Sequence, residues 1–242
     1  MTDLDEAAIA ALREDLSAAF RITAQMGWHE SVGNHFSAAV SADGKRFLLN
    51  RKWQHFASIR PADLMLLDAD DPEVMTRPDA PDASAWTIHG TVHRQCCAAR
   101  VIIHCHPPHA TALATLADPR MVPLDNNTAR YFGRLALDEG FGGIADEAAE
   151  GLRIAAALGN NRTLLMRNHG LTCVGDSVAE AFEDLYFFEK AAQTLLLAYA
   201  SGQPLNVLSD EIAEKTARGW DDYKGMAFAH FAHLKSRLPA LD

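Results

Sequence analysis

Two histidines separated by one residue, His104 and His106, are the side chains of this sequence best placed to do chemistry. They lie at the end of the apolar run RVIIHC, which predicts a short buried strand stopped by Pro107-Pro108. Side chains alternate along a strand, so residues two apart face the same side and both imidazoles can reach one metal ion. The alternative for the pair is ordinary hydrogen bonding in a core or at a surface.

A third histidine, His169, lies in the segment RNHG at residues 167–170. The surrounding run TLLMRNHGLTCVG predicts two strands that turn at Asn168-His169-Gly170 and direct the histidine outward. Together with the first pair it supplies three neutral imidazoles, a ligand set that leaves metal positions open for water and substrate. The sequence therefore predicts a catalytic metal site rather than a closed structural one.

The segments around these histidines predict helices before, between and after a central group of strands. The predicted helices cover residues 5–26, 84–97, 109–117, 146–159, 177–200 and 209–236, with Ser84, Asp146 and Ser177 or Asp176 at helix starts. The predicted strands lie within residues 31–40, 45–50, 61–68, 100–105 and 163–175, the first two joined by a turn at Asp43-Gly44. This order predicts a single α/β domain over residues 1–242.

Composition limits the partners. The chain has 242 residues, 48% of them hydrophobic and 22% charged, with a net charge of -10 and no basic run. A nucleic acid or an anionic membrane surface would be repelled, so we expect neither as a partner and expect a small-molecule substrate instead. No apolar run approaches the ~20 residues of a membrane span.

The N-terminus and the cysteines indicate a cytoplasmic protein. The opening MTDLDEAAIAALREDL is acidic and amphipathic, unlike a signal peptide. The four cysteines lack CxxC spacing and are interpreted as reduced thiols. They are Cys96, Cys97, Cys105 and Cys173.

Three segments carry a family resemblance. VIIHCHPPHATALA resembles the HTHPPYATALA segment of the class II aldolase/adducin family, RNHGLTCVGDSVAEAF its NHG…VG…EAF segment, and GWHESVGNHFS its GW…GN-S segment. The resemblance implies a three-layer α/β/α domain with a central, mainly antiparallel sheet, and a homotetramer with sites between subunits. It also implies that His104, His106 and His169 bind one divalent metal ion, which can be Zn, Mn, Fe or Co.

One departure from the family changes the expected chemistry. The family's aldolases carry a Glu, acting as acid/base and ligand, four residues before a helical His; that His matches His89, and the Glu position holds Ala85. Alanine can neither bind metal nor move a proton. The Ser-Ser pair that helps to bind substrate phosphate reads Ala83-Ser84, so a sugar-phosphate substrate is less expected.

The resemblance suggests further site residues. His89 is expected beside the site in a catalytic or supporting role, whereas His93, on the same helical face, is expected to pack or lie at the surface. Tyr131 is the candidate proton donor, with core packing as its alternative. The candidate substrate contacts are Asn34, which matches the family motif where His35 departs from it, Ser84, and His109 at the pocket mouth.

Three functions remain open. The first is a metal-dependent lyase that decarboxylates or cleaves by retro-aldol reaction a small, non-phosphorylated hydroxy or keto acid. The second is a non-haem Fe(II) oxygenase, because three neutral histidines without a carboxylate can hold iron with positions open for oxygen. The third is a non-catalytic interaction module like the adducin head, which would have no need of three converging imidazoles.

Overall fold

The computed structural model describes residues 2–96, 99–143 and 147–240. The strands are β1 (His35–Ala39), β2 (Arg46–Leu49), β3 (Met65–Asp68), β4 (Val101–Cys105), β5 (Leu135–Asp138), β6 (Thr163–Met166) and β7 (Gly170–Gly175). The helices are α1 (Glu6–Gln25), α2 (Ala83–Gln95), α3 (Pro108–Ala114), α4 (Asn126–Ala129), α5 (Ala148–Leu158), α6 (Val178–Ala200), α7 (Asp210–Gly219) and α8 (Lys224–Ser236). Among these described residues, no helix combines the length and apolarity needed to cross a membrane.

The strands form one sheet in the order β3-β2-β1-β4-β7-β6-β5. All neighbouring pairs are antiparallel except β5 with β6. Apolar clusters lie on both faces, one built with α1, α3, α6 and α8 and the other with α2 and α5. The predicted three-layer α/β/α domain with a mainly antiparallel sheet is therefore confirmed.

Strand alternation decides which side chains face α2. On β4, Ile103 packs in the cluster with α1 and α6, whereas Ile102 packs in the cluster with α2 and α5. His104, two residues after Ile102, therefore lies on the α2 side. The neighbouring β1 pairs His35 with His104, so His35 and Ser37 share that side. The central strands thus direct polar side chains towards the buried face of α2.

The start of α2 differs from the prediction. The N-cap is Asp82, whose Oδ1 accepts hydrogen bonds from the backbone N–H of Ser84 at 2.9 Å and of Ala85 at 3.2 Å. Aspartate is a strong N-cap, so it takes the position that the sequence assigned to Ser84. The predicted helix start at Asp146 lies outside the described residues, as does Cys97. Cys96, Cys105 and Cys173 are buried.

Other elements also differ from the sequence prediction, among them the four-residue helix α4, which was not predicted. Strand β5 was not predicted, because its LALD sequence is short and it is completed by parallel pairing with β6. The single helix predicted over 209–236 is two helices, α7 and α8, separated by a 3-10 turn at Trp220–Tyr223. The indole Nε1 of Trp220 donates to the carbonyl of Asn126 at 3.0 Å, and Asp221 pairs with Arg134 at 2.8 Å. These distant contacts hold the turn.

The β1–β2 turn lies directly against the end of α2. Gly44 has a φ of +72°, and a Cβ at this position would lie 2.6 Å from the carbonyl carbon of His93 and 3.2 Å from the amide nitrogen of Arg94. Only glycine combines this left-handed backbone with so close an approach. The turn therefore fixes the distance between the hairpin and the helix that faces it.

Candidate metal centre

Three histidines meet at one edge of the sheet. His104 is on β4, His106 follows that strand, and His169 lies in the turn between β6 and β7. One ring nitrogen of each histidine lies within 4.8 Å of those of the other two. The fold therefore brings together the three side chains that the sequence predicted as ligands.

The β6–β7 turn that carries His169 depends on two backbone features. Asn168 has a φ of +54°, in the left-handed region that asparagine enters more readily than most residues. Gly170 leaves no space for a side chain, because a Cβ there would lie 2.8 Å from the carbonyl oxygen of Cys105 and would overlap the ring of His106. The glycine lets the turn lie against the end of β4.

The ring of His104 is oriented through its second nitrogen. Its Nδ1 lies 3.0 Å from the hydroxyl of Thr172, and that hydroxyl donates to Sδ of Met166 at 3.3 Å. Because the threonine hydrogen is used in this way, Nδ1 of His104 is the donor to Thr172. The lone pair of His104 is therefore on Nε2.

A carboxylate orients His106 in the same way. Its Nδ1 lies 2.6 Å from Oε2 of Glu30, and a carboxylate can only accept, so the lone pair is on Nε2. The Nε2 atoms of His104 and His106 lie 3.3 Å apart with no hydrogen between them. Two ligands at ~2.0–2.1 Å from a tetrahedral ion are about 3.4 Å apart. The donor set therefore fits a divalent cation.

Burial keeps two of these rings in the form that binds metal. Burial, with neighbouring imidazoles, lowers the pKa of His104 well below its usual value. The same causes lower the pKa of His169 to about 4. Since only the neutral imidazole offers a lone pair, both rings are ready to bind a cation at neutral pH.

A cavity of about 360 Å³ opens beside the three histidines. Its other walls are formed by Val32, Gly33, Asn34, His35, Asn50, Lys52, Trp53, Asp82, Ser84 and Ala85. The Nζ of Lys52 lies 5.1 Å from the centre of the Trp53 ring, and Trp53 is 74% exposed. The cavity therefore combines a possible metal site with an ammonium group and an aromatic surface.

The family follows from comparison with known sequences. Residues 14–196 match the Class II Aldolase and Adducin N-terminal domain. The chain belongs to this family.

Relatives named for different activities cover nearly the whole chain. Decarboxylase NovR of Streptomyces niveus is 26% identical over 236 residues, which is 93% of this chain and 87% of the relative. Another relative is the 4-hydroxy-3-prenylphenylpyruvate oxygenase/4-hydroxy-3-prenylbenzoate synthase of Streptomyces roseochromogenus subsp. oscitans. It is 25% identical over 238 residues, which is 93% of this chain and 84% of the relative. The crystal structure of an aldolase II superfamily protein from Pseudomonas syringae superposes with a TM-score of 0.84 at 26% identity. The match covers 95% of this chain and 92% of that protein.

The start of α2 forms one wall of the cavity. Ala85 lines the cavity and is 1% exposed, so the described side chain at this position is a methyl group facing the candidate site. His89, one turn later, is fully buried, and its Nε2 lies 2.7 Å from Nδ1 of His35. Of these two rings, His35 lines the cavity. His89 therefore contacts the site only through His35.

Two of the predicted substrate contacts line the cavity. The Oδ1 of Asn34 accepts from the backbone N–H of Glu30 at 2.8 Å, and the hydroxyl of Ser84 donates to Oδ1 of Asp82 at 2.6 Å. Both side chains are thus held in place while facing the cavity. Their contact with substrate stays a prediction.

Two other predicted site residues lie elsewhere. Tyr131 is 4% exposed, donates its hydroxyl hydrogen to the carbonyl of Asp184 at 2.8 Å and packs on Phe188, so it is a core aromatic in this chain. His109 lies at the start of α3, with its Nδ1 2.6 Å from Oε1 of Glu189. Neither lines the cavity beside the three histidines within the single chain. The core packing that the sequence offered as the alternative for Tyr131 is observed, and the site roles of both residues stay predictions.

Sequence reasoning missed Glu30, Ser37 and Lys52. Glu30 precedes β1 and lies 76 residues from the histidine that it contacts, so no local pattern announces the pair. Ser37 is two residues after His35 and therefore shares its face, a signal that strand alternation does carry. Lys52 follows β2 without any periodic pattern.

Neutralising Glu30 should weaken metal binding. Glu30→Gln keeps an acceptor for Nδ1 of His106 but removes the charge that strengthens its ligation, so we expect affinity for Zn²⁺ to fall by about 10-fold or more. Competition with a fluorescent chelator measures it. Glu211→Gln, at an exposed glutamate of α7, is the matched control. Equal affinities for both variants would show that Glu30 does not support the site.

Protonation of buried His93 should destabilise the fold in acid. Burial lowers the pKa of His93 to about 4 from 6.5, so the unfolded chain takes up the proton first. Stability should therefore fall as the pH drops from 6.5 to 4, by about 3 kcal/mol from this residue. Urea unfolding of chelator-treated protein and of the His93→Gln variant across this pH range isolates the loss of unfolding free energy that His93 causes. The same pH slope in both proteins would contradict it.

Proposed function

We propose that this protein is a metal-dependent carbon–carbon lyase acting on a small, non-phosphorylated hydroxy or keto acid. The observation that carries the proposal is the convergence of three imidazoles beside a cavity in which Ala85 stands where the family's aldolases have Glu. The proposed ligands are His104, His106 and His169. The relative NovR, which is named as a decarboxylase, supports the same reaction class.

The side chains of the cavity suit such a substrate. A divalent ion held by the histidines would supply electrophilic stabilisation of the negative charge that develops when the bond to carbon breaks. Lys52 offers a positive charge for a carboxylate at the cavity wall. Asn34 and Ser84 offer amide and hydroxyl groups for hydrogen bonds to substrate oxygens. These roles are proposals for the named residues.

The lining argues against a phosphate group. Among the described residues that form the cavity, Lys52 is the one lysine or arginine. A phosphate dianion is commonly bound by several donors or by Arg, which matches it with two hydrogen bonds. A carboxylate, with a single charge, makes the smaller demand that Lys52 can meet.

An iron-dependent oxygenase is the second candidate. Two observations favour it: the ligand set is three neutral imidazoles with no carboxylate at Ala85, and one relative is named as an oxygenase. The adducin-like module remains the third. The orienting partners of His104 and His106, Thr172 and Glu30, support a working metal site rather than a remnant.

Metal analysis and anaerobic assays separate these functions. We expect close to one transition-metal ion per chain in protein prepared without added metal. Turnover of hydroxy and keto acids under argon with Mn, Zn or Co supports the lyase, whereas turnover that needs Fe(II) and consumes oxygen selects the oxygenase. If the protein binds no metal ion and no metal ion stabilises it, the non-catalytic interaction module is the function that remains.

We further propose that the chain acts in the cytoplasm as a homotetramer. The tetramers common among class II aldolases support this proposal, and Leu197, Tyr199 and Phe228 are exposed apolar side chains that such an interface could cover. Light scattering after size-exclusion chromatography measures the assembled mass, and a monomer at micromolar concentration would reject the proposal.

A further inference from the structure

A buried row of polar side chains leads from the cavity into the space between β1 and α2. Nδ1 of His35 lies 2.7 Å from Nε2 of His89, whose Nδ1 contacts the hydroxyl of Ser37. That hydroxyl lies 2.7 Å from Nε2 of His93, and Nδ1 of His93 lies 2.6 Å from the carbonyl oxygen of Ala99. The row begins at the cavity and ends on the backbone.

The carbonyl at the end sets the direction of every hydrogen bond in the row. A carbonyl only accepts, so Nδ1 of His93 carries the hydrogen and, in the neutral ring, Nε2 is an acceptor. Ser37 must then donate to His93 and accept from Nδ1 of His89. His89 in turn accepts on Nε2 from Nδ1 of His35. All three rings are thereby held as Nδ1–H tautomers, the less favoured form of a free histidine side chain.

The opposite direction would require a charged His93. With Nε2 of His93 donating to Ser37, its Nδ1 would need a second hydrogen to remain bonded to Ala99. His93 is 1% exposed, and burial lowers its pKa to about 4, so the cation is disfavoured at neutral pH. The nearby charge of Arg100 acts in the same sense.

At the cavity end, Nε2 of His35 keeps its lone pair. The hydroxyl of Ser84 lies 3.4 Å from this nitrogen, but that hydroxyl also lies 2.6 Å from the carboxylate of Asp82 and donates there. The His35 ring stacks on the His104 ring, with centroids 4.9 Å apart and an interplanar angle of 25°. An acceptor atom is thus presented beside a proposed metal ligand.

We propose that His35 is the substrate-contacting hydrogen-bond acceptor of this site, held in its tautomer by His89, Ser37 and His93. The ligand it selects carries a hydroxyl or amine hydrogen next to the group bound by the metal, as a 2-hydroxy acid does. A 2-keto acid has no hydrogen at that position. The inference rests on the proposed function and narrows its substrate class to hydroxy acids.

Histidine nitrogen NMR tests the tautomers without any activity. In chelator-treated, ¹⁵N-histidine-labelled protein at neutral pH, we expect Nδ1–H patterns for His35, His89 and His93, assigned through single variants. Exposed His233 should show the Nε2–H preference of a free histidine side chain. An Nε2–H pattern at His35 would overturn the proposal. A Zn²⁺-induced shift at His35 as large as at the three ligands would make it a fourth ligand and would also overturn it.

The positioning role of Ser37 has its own spectroscopic readout. Ser37→Ala removes the hydroxyl between His89 and His93, so the His35 signal should become a mixture of tautomers. Ser37→Thr restores a hydroxyl and should restore the single Nδ1–H pattern. A His35 pattern that Ser37→Ala does not change would show that the row does not position it.

Ligand preference tests the contact itself. Lactate and pyruvate are titrated into Co²⁺-loaded wild-type protein and into His35→Phe, with the cobalt absorption spectrum as the readout. We expect the affinity ratio of lactate to pyruvate to fall roughly 3- to 10-fold in the variant, at unchanged cobalt content. Equal ratios in the two proteins, or binding of neither acid, would reject the selective contact. Absence of lyase turnover alone would reject only the proposed reaction.

Should His35→Phe fail to fold, His35→Leu carries the same readout with a smaller side chain. Both variants keep His104, His106 and His169, so cobalt content separates a loss of the metal site from a loss of the acceptor. When neither variant folds, the His35 ring signals of the unchanged protein are assigned through bond correlations with its backbone, and the tautomer measurement decides the proposal.

Discussion

A chain in which His106 is replaced by alanine should lose its metal and its catalytic activity together. His106 presents an Nε2 lone pair 3.3 Å from that of His104, and its removal leaves two imidazoles to hold the ion. Loss of an outer-shell partner alone typically costs about 10- to 100-fold in metal affinity. Loss of a direct ligand should exceed this, so we expect no stoichiometric metal after gel filtration.

The measurement is metal content by elemental analysis together with turnover under argon. His233→Ala removes an exposed histidine of α8 and should leave both values at the wild-type level. Thermal unfolding of both variants in chelator shows whether the fold is intact. A His106→Ala protein that keeps one metal per chain and its turnover would disprove the assigned ligand set.

The second large effect is expected on stability, at Gly44. Gly44→Ala forces a Cβ into a backbone with a φ of +72° and into overlap with the carbonyl group of His93 at the end of α2. Left-handed backbone costs a non-glycine residue roughly 1–2 kcal/mol, and overpacking adds roughly 1–3 kcal/mol. We therefore expect a loss of about 2–5 kcal/mol in the free energy of unfolding.

Gly27→Ala provides a matched control for the backbone part of this effect. Gly27 has a φ of +68°, but nothing lies within 4 Å of the position that its Cβ would take. Urea unfolding of both variants should give a smaller loss for Gly27→Ala, and the difference measures the steric contact with α2. Equal losses would mean that the turn can move away from α2 at no cost.

Those parts of the fold that are encoded locally could be predicted from sequence. The run VIIHCH followed by two prolines predicts a strand and its end, and β4 spans Val101–Cys105. Ser177 or Asp176 before an apolar helical pattern predicts the start of α6, and the hydroxyl of Ser177 is the observed N-cap. Strand β5 could not be predicted, because its four residues become a strand through pairing with β6.

The residues of the candidate site could also be predicted from sequence only where local patterns encode them. Strand spacing and the RNHG turn predicted the three histidines, which the fold brings within 4.8 Å of each other. Tyr131 was a candidate from its place along the chain, with core packing as its alternative, and its hydroxyl donates to the carbonyl of Asp184 in the core. The contact of His35 with His89 joins residues 54 positions apart, on β1 and α2. Such a contact depends on how a helix lies over a sheet, which spacing along the chain does not encode.

The hydrogen-bond row ends on the backbone carbonyl of Ala99, a buried residue at the approach to β4. No substitution at position 99 can delete that oxygen, provided that the main chain keeps its path. During evolution the residue at position 99 can therefore change without altering this hydrogen bond. The orientation of the three imidazoles depends on the backbone and not on the side chain at that position. Design by transplanting side chains alone would therefore lose the acceptor at His35, and a successful graft must carry over the α2–β4 connection as well.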